Sequence, residues 1–172
     1  MRHEQGMSLA EISIVLALAA IVITVAVTYA LPWIGREEMR GAVYQVQTHL
    51  QLARIQAVTR NRSCRFVIDG ASGRVQVFDL VDPASATDDI QLADLTLPST
   101  VAFSRPDSGS AITLTAGSGT QYLATFAADG SVSDAAGEIV LKGGDRYDKV
   151  TLYGAGGIRV EHWDGSAWTV GS

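Results

Sequence analysis

Between Ile12 and Ile34 the chain runs 23 residues without a charge. As a helix that run rises roughly 34 Å, enough to cross the hydrocarbon core of a bilayer. The pattern then changes. Val43, Val46, Leu50, Ala53 and Ala57 recur at spacings of three and four, while Arg40, Gln47, Gln51 and Arg54 fall on the other side. This periodicity predicts an amphipathic helix that continues the apolar one and ends near Asn61.

Beyond Ser63 the period shortens to two. Alternating segments at 64–69, 74–81, 90–97, 101–104, 111–115, 121–127, 138–142, 149–153, 158–163 and 167–170 read as strands. The separators "GASG", "PST", "RPDSGS", "AGSGT", "ADGS", "GGDRYD", "GAGG" and "DGS" are rich in turn formers. The expected class is α+β: a long N-terminal helix, transmembrane and then amphipathic, packed on a C-terminal antiparallel β-sheet or sandwich domain.

Charge and composition narrow the function. A net charge of −5 and a pI near 5.0 argue against a surface built to neutralise nucleic-acid phosphates. The single cysteine, Cys64, cannot close a disulfide within the chain and reads as a small buried hydrophobe. His3, His49 and His162 fall in the leader, the helix and the last strands, and no nucleophile elbow, metal pair or carboxylate dyad accompanies them. "GAGG" and "GSG" lack the strand-to-helix setting of a phosphate loop and read as turns.

Two charge clusters stand out. Arg54, Arg60, Arg62, Arg65 and Arg74 surround the helix end and first hairpin, and Asp79, Asp82, Asp88, Asp89 and Asp94 surround the next loop. They read either as solvated faces or, for Arg60, Arg62 and Arg65, as subunit contacts that set register. The aspartates lack the spacing of an EF-hand.

One acid interrupts this picture. Glu11 sits at the start of the apolar run, where a carboxylate costs about 2.5–3.5 kcal/mol at the bilayer centre and less near the headgroups. Burial of that charge calls for a partner, whereas a shallow position needs none.

The leader "MRHEQG" followed by Met7, Glu11 and the apolar run resembles the type IV prepilin signature. "LQLARIQAVTRNRSCRF", "FAADGSV" and "VTLYGAGGIRV" resemble the end-of-helix, paired-strand and glycine-turn segments of the GspH/FimT minor pseudopilins. The resemblance implies a pilin-like fold with a leader at 1–6, a transmembrane assembly helix at 7–34, an amphipathic continuation at 35–62 and a β-rich periplasmic domain at 63–172. It implies cleavage by a prepilin peptidase between Gly6 and Met7, N-methylation of Met7, and a salt bridge from Glu11 to the terminal amine of a neighbouring subunit. Methionine stands here where the family usually has phenylalanine. Pro32, which removes a helical hydrogen bond, is the expected kink.

The implied protein is a structural subunit of a type IV pilus or type II secretion pseudopilus, without catalytic residues, metal or cofactor. Its partners are other pilins, the peptidase, the inner membrane and the assembly platform. The positive-inside rule, applied to Arg2, orients the C-terminal domain outward. Two alternatives stay open: a signal-anchored or secreted β-rich binding domain, whose mature chain would begin near Leu31, and a DNA-uptake minor pilin. The second is disfavoured by the C-terminal stretch, where Arg159 faces Glu161 and Asp164.

Overall fold

A computed structural model describes residues 9–82 and 87–170, with residues 27–34 by backbone alone. The chain divides after Ile34 into two units. Helical structure, α1, runs from Leu9 to Arg60. In the first unit it carries the span Leu9–Ala26, long and apolar enough to cross a membrane and wholly unburied by the rest of the chain.

In the second unit α1 turns amphipathic. Val43, Val46, Leu50, Ala53 and Ala57 are all buried, and the stripe extends back to Met39 and Ala42. Asn61 ends the helix with φ of 51°, in the left-handed region that asparagine tolerates better than most side chains. Its N–H donates to the Val58 carbonyl, and the Arg62 N–H reaches back to the Ala57 carbonyl at 3.1 Å. These two bonds are the Schellman pattern, which satisfies carbonyls the last turn would leave open.

Ten strands follow: β1 (Cys64–Asp69), β2 (Arg74–Asp79), β3 (Ile90–Thr96), β4 (Val101–Phe103), β5 (Thr115–Ala116), β6 (Gln121–Phe126), β7 (Gly137–Gly143), β8 (Arg146–Leu152), β9 (Ile158–Trp163) and β10 (Trp168–Val170). They form two five-stranded antiparallel sheets, ordered β3-β2-β1-β6-β5 and β10-β9-β8-β7-β4. Period-two alternation aims Cys64, Phe66 and Ile68 of β1 inward with Val75 and Val77 of β2 and Ala124 and Phe126 of β6. Ile139, Leu141, Val150 and Leu152 face inward from the second sheet, and all of these join the α1 stripe in one core. Full burial of Phe66 or Phe126 contributes about 2–3 kcal/mol by area removed from water.

Two segments depart from the sequence-based expectation. The expected strand at 111–115 instead crosses between sheets: Ile112 bridges Ile139 of β7, and three residues later Thr115 pairs with Leu123 of β6. Its alternation is real, because Ile112 and Leu114 are both buried, but its two ends serve different layers. The polar run "GGDRYD", expected to be a turn, turns only at Gly144 and Asp145. Gly143 already pairs with Arg146, and Gly144 has φ of 61° at the first loop position, as a two-residue type II′ hairpin requires. Asp148, read as a turn residue, lies buried in β8 and accepts bonds from Arg146 and His162.

The β1–β2 hairpin carries a pH-dependent element. Asp69 Oδ1 accepts bonds from the Thr120 hydroxyl at 2.7 Å and the Ala71 N–H at 2.9 Å, which lower its pKa to about 2. On the neighbouring pair, Arg74 bonds Asp94, with Gln91 and Gln76 assisting, and holds that carboxyl at about 2 as well. Unfolded aspartates titrate near 3.9. Both groups are depressed in the fold, so their contribution is complete above about pH 4 and is lost as pH falls from there through about 2. The thermal midpoint of the β domain, followed in the full chain in detergent, is expected to fall across that window. The fall should be shallower in a Thr120→Val, Arg74→Gln double variant, and equal slopes would contradict the assignment.

Candidate functional site

Two surfaces of α1 and one clasp at its C-terminal end are the candidates for function. The first surface is the apolar span. Leu9 is 85% exposed, and Leu16, Ile21, Val22 and Ile23 each exceed 60%. Glu11 lies in the first turn of this helix, where the positive end of the helix dipole favours an acid.

The second surface is the outward face of the amphipathic segment. Tyr44, Ile55 and Val58 are more than half exposed on the side opposite the buried stripe. They alternate with Thr48 and Gln51, so this face carries apolar groups without charge along its centre. His49 lies instead beside the buried stripe, its Nδ1 donating to the Gln45 carbonyl one turn back at 2.7 Å.

The clasp joins helix, first sheet and second sheet. The β6–β7 turn and the β8–β9 turn approach so closely that a Cβ on Gly156 would lie 1.9 Å from the Gly130 carbonyl oxygen. Both glycines take positive φ, 82° and 78°. The Val132 N–H donates to the Gly154 carbonyl at 2.8 Å and ties the turns together. Arg54 of α1 lies over both, its Nε 3.0 Å from that same Gly156 position and 3.3 Å from the corresponding one on Gly130.

At the end of α1, Arg60 and Arg62 converge on one carboxylate. Asp79 Oδ2 accepts from Arg60 Nη1 at 2.5 Å and from Arg62 Nη2 at 3.0 Å. Asp79 has no exposed surface, whereas the two arginine side chains remain 35% and 40% exposed. Two positive charges therefore compensate one buried negative charge, as burial demands. Cys64 pairs with Asp79 across β1 and β2; burial first, and the nearby carboxylate second, push its thiol up to about 11. A thiol so placed is inert at neutral pH.

The arginine and aspartate clusters are thus matched largely within the chain. Arg65 faces Asp89 at 3.9 Å and Arg74 pairs with Asp94, in addition to the Arg60–Arg62–Asp79 triad. Among the described residues, no group of three or more His, Cys, Asp and Glu side chains is arranged to hold a metal ion. Gly6 and Met7 lie outside the described residues. Pro32 lies within the helical segment, its side chain outside the described set.

A charged network that the sequence reading missed covers the outer face of the second sheet. Lys149, 9% exposed, bonds Glu161 at 3.0 Å and Glu138 at 3.2 Å. Arg105 binds Glu138 at 2.8 Å and Asp107 at 2.7 Å, and Arg159 closes the other end on Glu161. Trp168 lies over Lys149 with 4.8 Å from ammonium to ring centroid. Burial alone would raise the Glu161 carboxyl, but Lys149 and Arg159 outweigh it and hold it below the usual range. The one available signal was alternation: Glu138, Lys149 and Glu161 occupy outward positions on consecutive strands.

This arrangement offers surfaces for assembly and supplies no catalytic frame in the described residues. The model of the family described as Type II transport protein GspH matches residues 42–156, about two thirds of the chain. The chain belongs to the GspH family. Its matched region begins at the buried α1 stripe and ends at the glycine turn of the clasp.

Solved structures with the same fold include the type IV minor pilin FimU of Pseudomonas aeruginosa, 15% identical, covering 77% of this chain and 93% of that one with a TM-score of 0.55. The minor pseudopilin EpsH from the type 2 secretion system of Vibrio cholerae is 14% identical, covers 72% of this chain and 95% of its own, and has a TM-score of 0.54. Among curated proteins no sequence matches. The α+β, pilin-like architecture expected from the sequence is therefore the observed one.

Proposed function

We propose that this GspH-family chain is a minor structural subunit of a type II secretion pseudopilus or type IV pilus. The observation that carries the reading is the wholly exposed apolar span of α1 on a chain whose matched β domain is that of a GspH protein. An apolar helix of this length needs either a bilayer or other apolar helices around it. A subunit that waits in the membrane and then enters a helical bundle has both in turn.

In this reading residues 1–6 are removed by a prepilin peptidase, Met7 becomes the methylated N-terminus, and the mature helix at 7–34 anchors the chain in the inner membrane. Residues 35–62 continue the helix, and residues 63–172 face the periplasm. Pro32 lets the helix bend between membrane and filament. Glu11 meets the amine of a neighbouring subunit. Arg60, Arg62 and Arg65, each 30–40% exposed, offer their remaining guanidinium donors to adjacent subunits.

The chain purified from membranes of its native host tests the reading. Intact-mass measurement and N-terminal fragmentation are expected to find a methylated Met7 as the first residue. A retained leader, or a terminus near Leu31, would overturn the assignment.

A further inference from the structure

We propose that a pocket on the solvent side of the first sheet binds a neutral saccharide, a property separate from filament assembly. The pocket, of about 440 Å³, is of the size that small ligands occupy. Strand pairing sets Phe78, Arg65 and Thr125 in one row across β2, β1 and β6, and Gln76, Val67 and Leu123 in the next. These positions alternate with the core residues of the same strands, so they lie on the outer face. Solvent-facing positions of an antiparallel sheet are ordinarily polar. Here Val67 is only 7% exposed, and with Leu123 and Phe78 it forms an apolar floor. A Cβ on Gly117 would lie 3.1–3.3 Å from the outer carbons of Leu123, so the loop before β6 rests directly on that floor.

The rim is polar and its charges cancel. Among the described lining residues only Arg65 and Asp89 are charged, one of each sign, which favours an uncharged ligand over an anion or a metal ion. The pair is not closed. Arg65 Nη1 stands 3.9 Å from Asp89 Oδ2, beyond hydrogen-bond reach. Asp89 Oδ1 is buried and has no hydrogen-bond partner among the described residues, a cost that folding alone does not offset. The terminal torsion of aspartate is soft and roughly two-fold, so either oxygen turns to the pocket.

A hydroxyl suits this gap, because it accepts from the guanidinium and donates to the carboxylate at once. Two amides extend the rim. Gln121 offers a donor and an acceptor, and Gln76, which donates to Asp94, keeps its carbonyl oxygen. Planar polar groups around an apolar floor match a sugar ring, whose hydroxyls both donate and accept and whose C–H faces are apolar. Phe78 supplies the aromatic surface for such a face. A guanidinium carries five N–H donors, so a ligand on Arg65 leaves others for a neighbouring subunit.

The test places the full chain, with labelled valine and leucine methyls, in phosphatidylcholine nanodiscs free of glycoside detergent. Cellobiose and N,N′-diacetylchitobiose are titrated separately. Saturable shifts are expected at the Val67 and Leu123 methyls with at least one disaccharide, with Val150 and Leu152 of the second sheet unmoved. Asp89→Ala removes both the ligand's acceptor and the unpartnered buried oxygen. Affinity should therefore fall about tenfold while the thermal midpoint holds or rises. Gln121→Ala should weaken binding about fivefold at an unchanged midpoint. No saturable shift with either sugar, or undiminished affinity in both variants, overturns the proposal. Shifts spread evenly over both sheets mark adventitious contact and overturn it too. Equal shifts with N-acetylalanine methylamide assign the pocket to a peptide amide and overturn the saccharide assignment.

Discussion

Glu11→Leu is expected to leave the chain in the membrane, cut and methylated, yet missing from filaments. The charge is the reason. Leucine in place of glutamate removes an unfavourable transfer term of up to about 2.5–3.5 kcal/mol, so insertion is favoured and not impaired. In a filament, however, the methylated amine of a neighbouring Met7 would then lie among apolar helices without its counter-charge. Removing one partner of a buried ion pair costs about 3–5 kcal/mol, which corresponds to a loss of incorporation of about two to four orders of magnitude. Greater retention in the bilayer acts in the same direction.

Glu11→Gln separates charge from shape, since it keeps the side chain's size and one acceptor oxygen while dropping the charge. Immunoblots comparing sheared filaments with membranes should show both variants depleted from the former and unchanged in the latter. Wild-type recovery of Glu11→Gln in filaments would remove the pairing role. Loss from the membrane fraction would instead place the fault in insertion.

Sequence periodicity reached the helix well because every i, i+3, i+4 neighbour lies within one local segment. The stripe from Val43 to Ala57 is buried as its spacing required, and only Met39 and Ala42 extend it further. Strand existence was legible for the same reason, yet sheet order was not. The pairing of β1 with β6 and of β4 with β7 joins distant residues, and alternation within a strand does not record its neighbour. The segment at 111–116 shows the limit clearly, since its alternation is correct for both sheets and cannot reveal that it leaves one for the other.

Charge pairing was illegible for a related reason. The arginine and aspartate runs read either as solvated faces or as subunit contacts, and alternation does not record that neighbouring strands bring Arg74 to Asp94 or that the helix end brings Arg60 and Arg62 to Asp79. The buried Lys149 network escaped notice because its members are separated by whole strands. The contact that adds to the core in joining the helix end to both sheets was visible only as two glycine motifs. Their meeting under Arg54 is a tertiary fact, and it makes the clasp testable by adding a single carbon.

Gly156→Ala is expected to destabilise the β domain by about 3–4 kcal/mol, well beyond any other glycine-to-alanine change in its turns. Two costs combine. Alanine at a φ of 78° is disfavoured by about 1–2 kcal/mol. The new Cβ would also lie 1.9 Å from the backbone oxygen of Gly130, and forced overpacking adds about 1–3 kcal/mol. Relief would require one turn to move, but the bond from Val132 to Gly154 ties them, and Arg54 occupies the space above. Gly144→Ala supplies the first cost alone, having φ of 61° and open space around it, so about 1 kcal/mol is expected. Gly154→Ala carries neither and should change stability by less than about 0.5 kcal/mol. Urea midpoints of the three full-length variants in one detergent should fall in that order. If Gly156→Ala is no worse than Gly144→Ala, the two turns do not press on each other and the clasp does not hold the sheets to the helix.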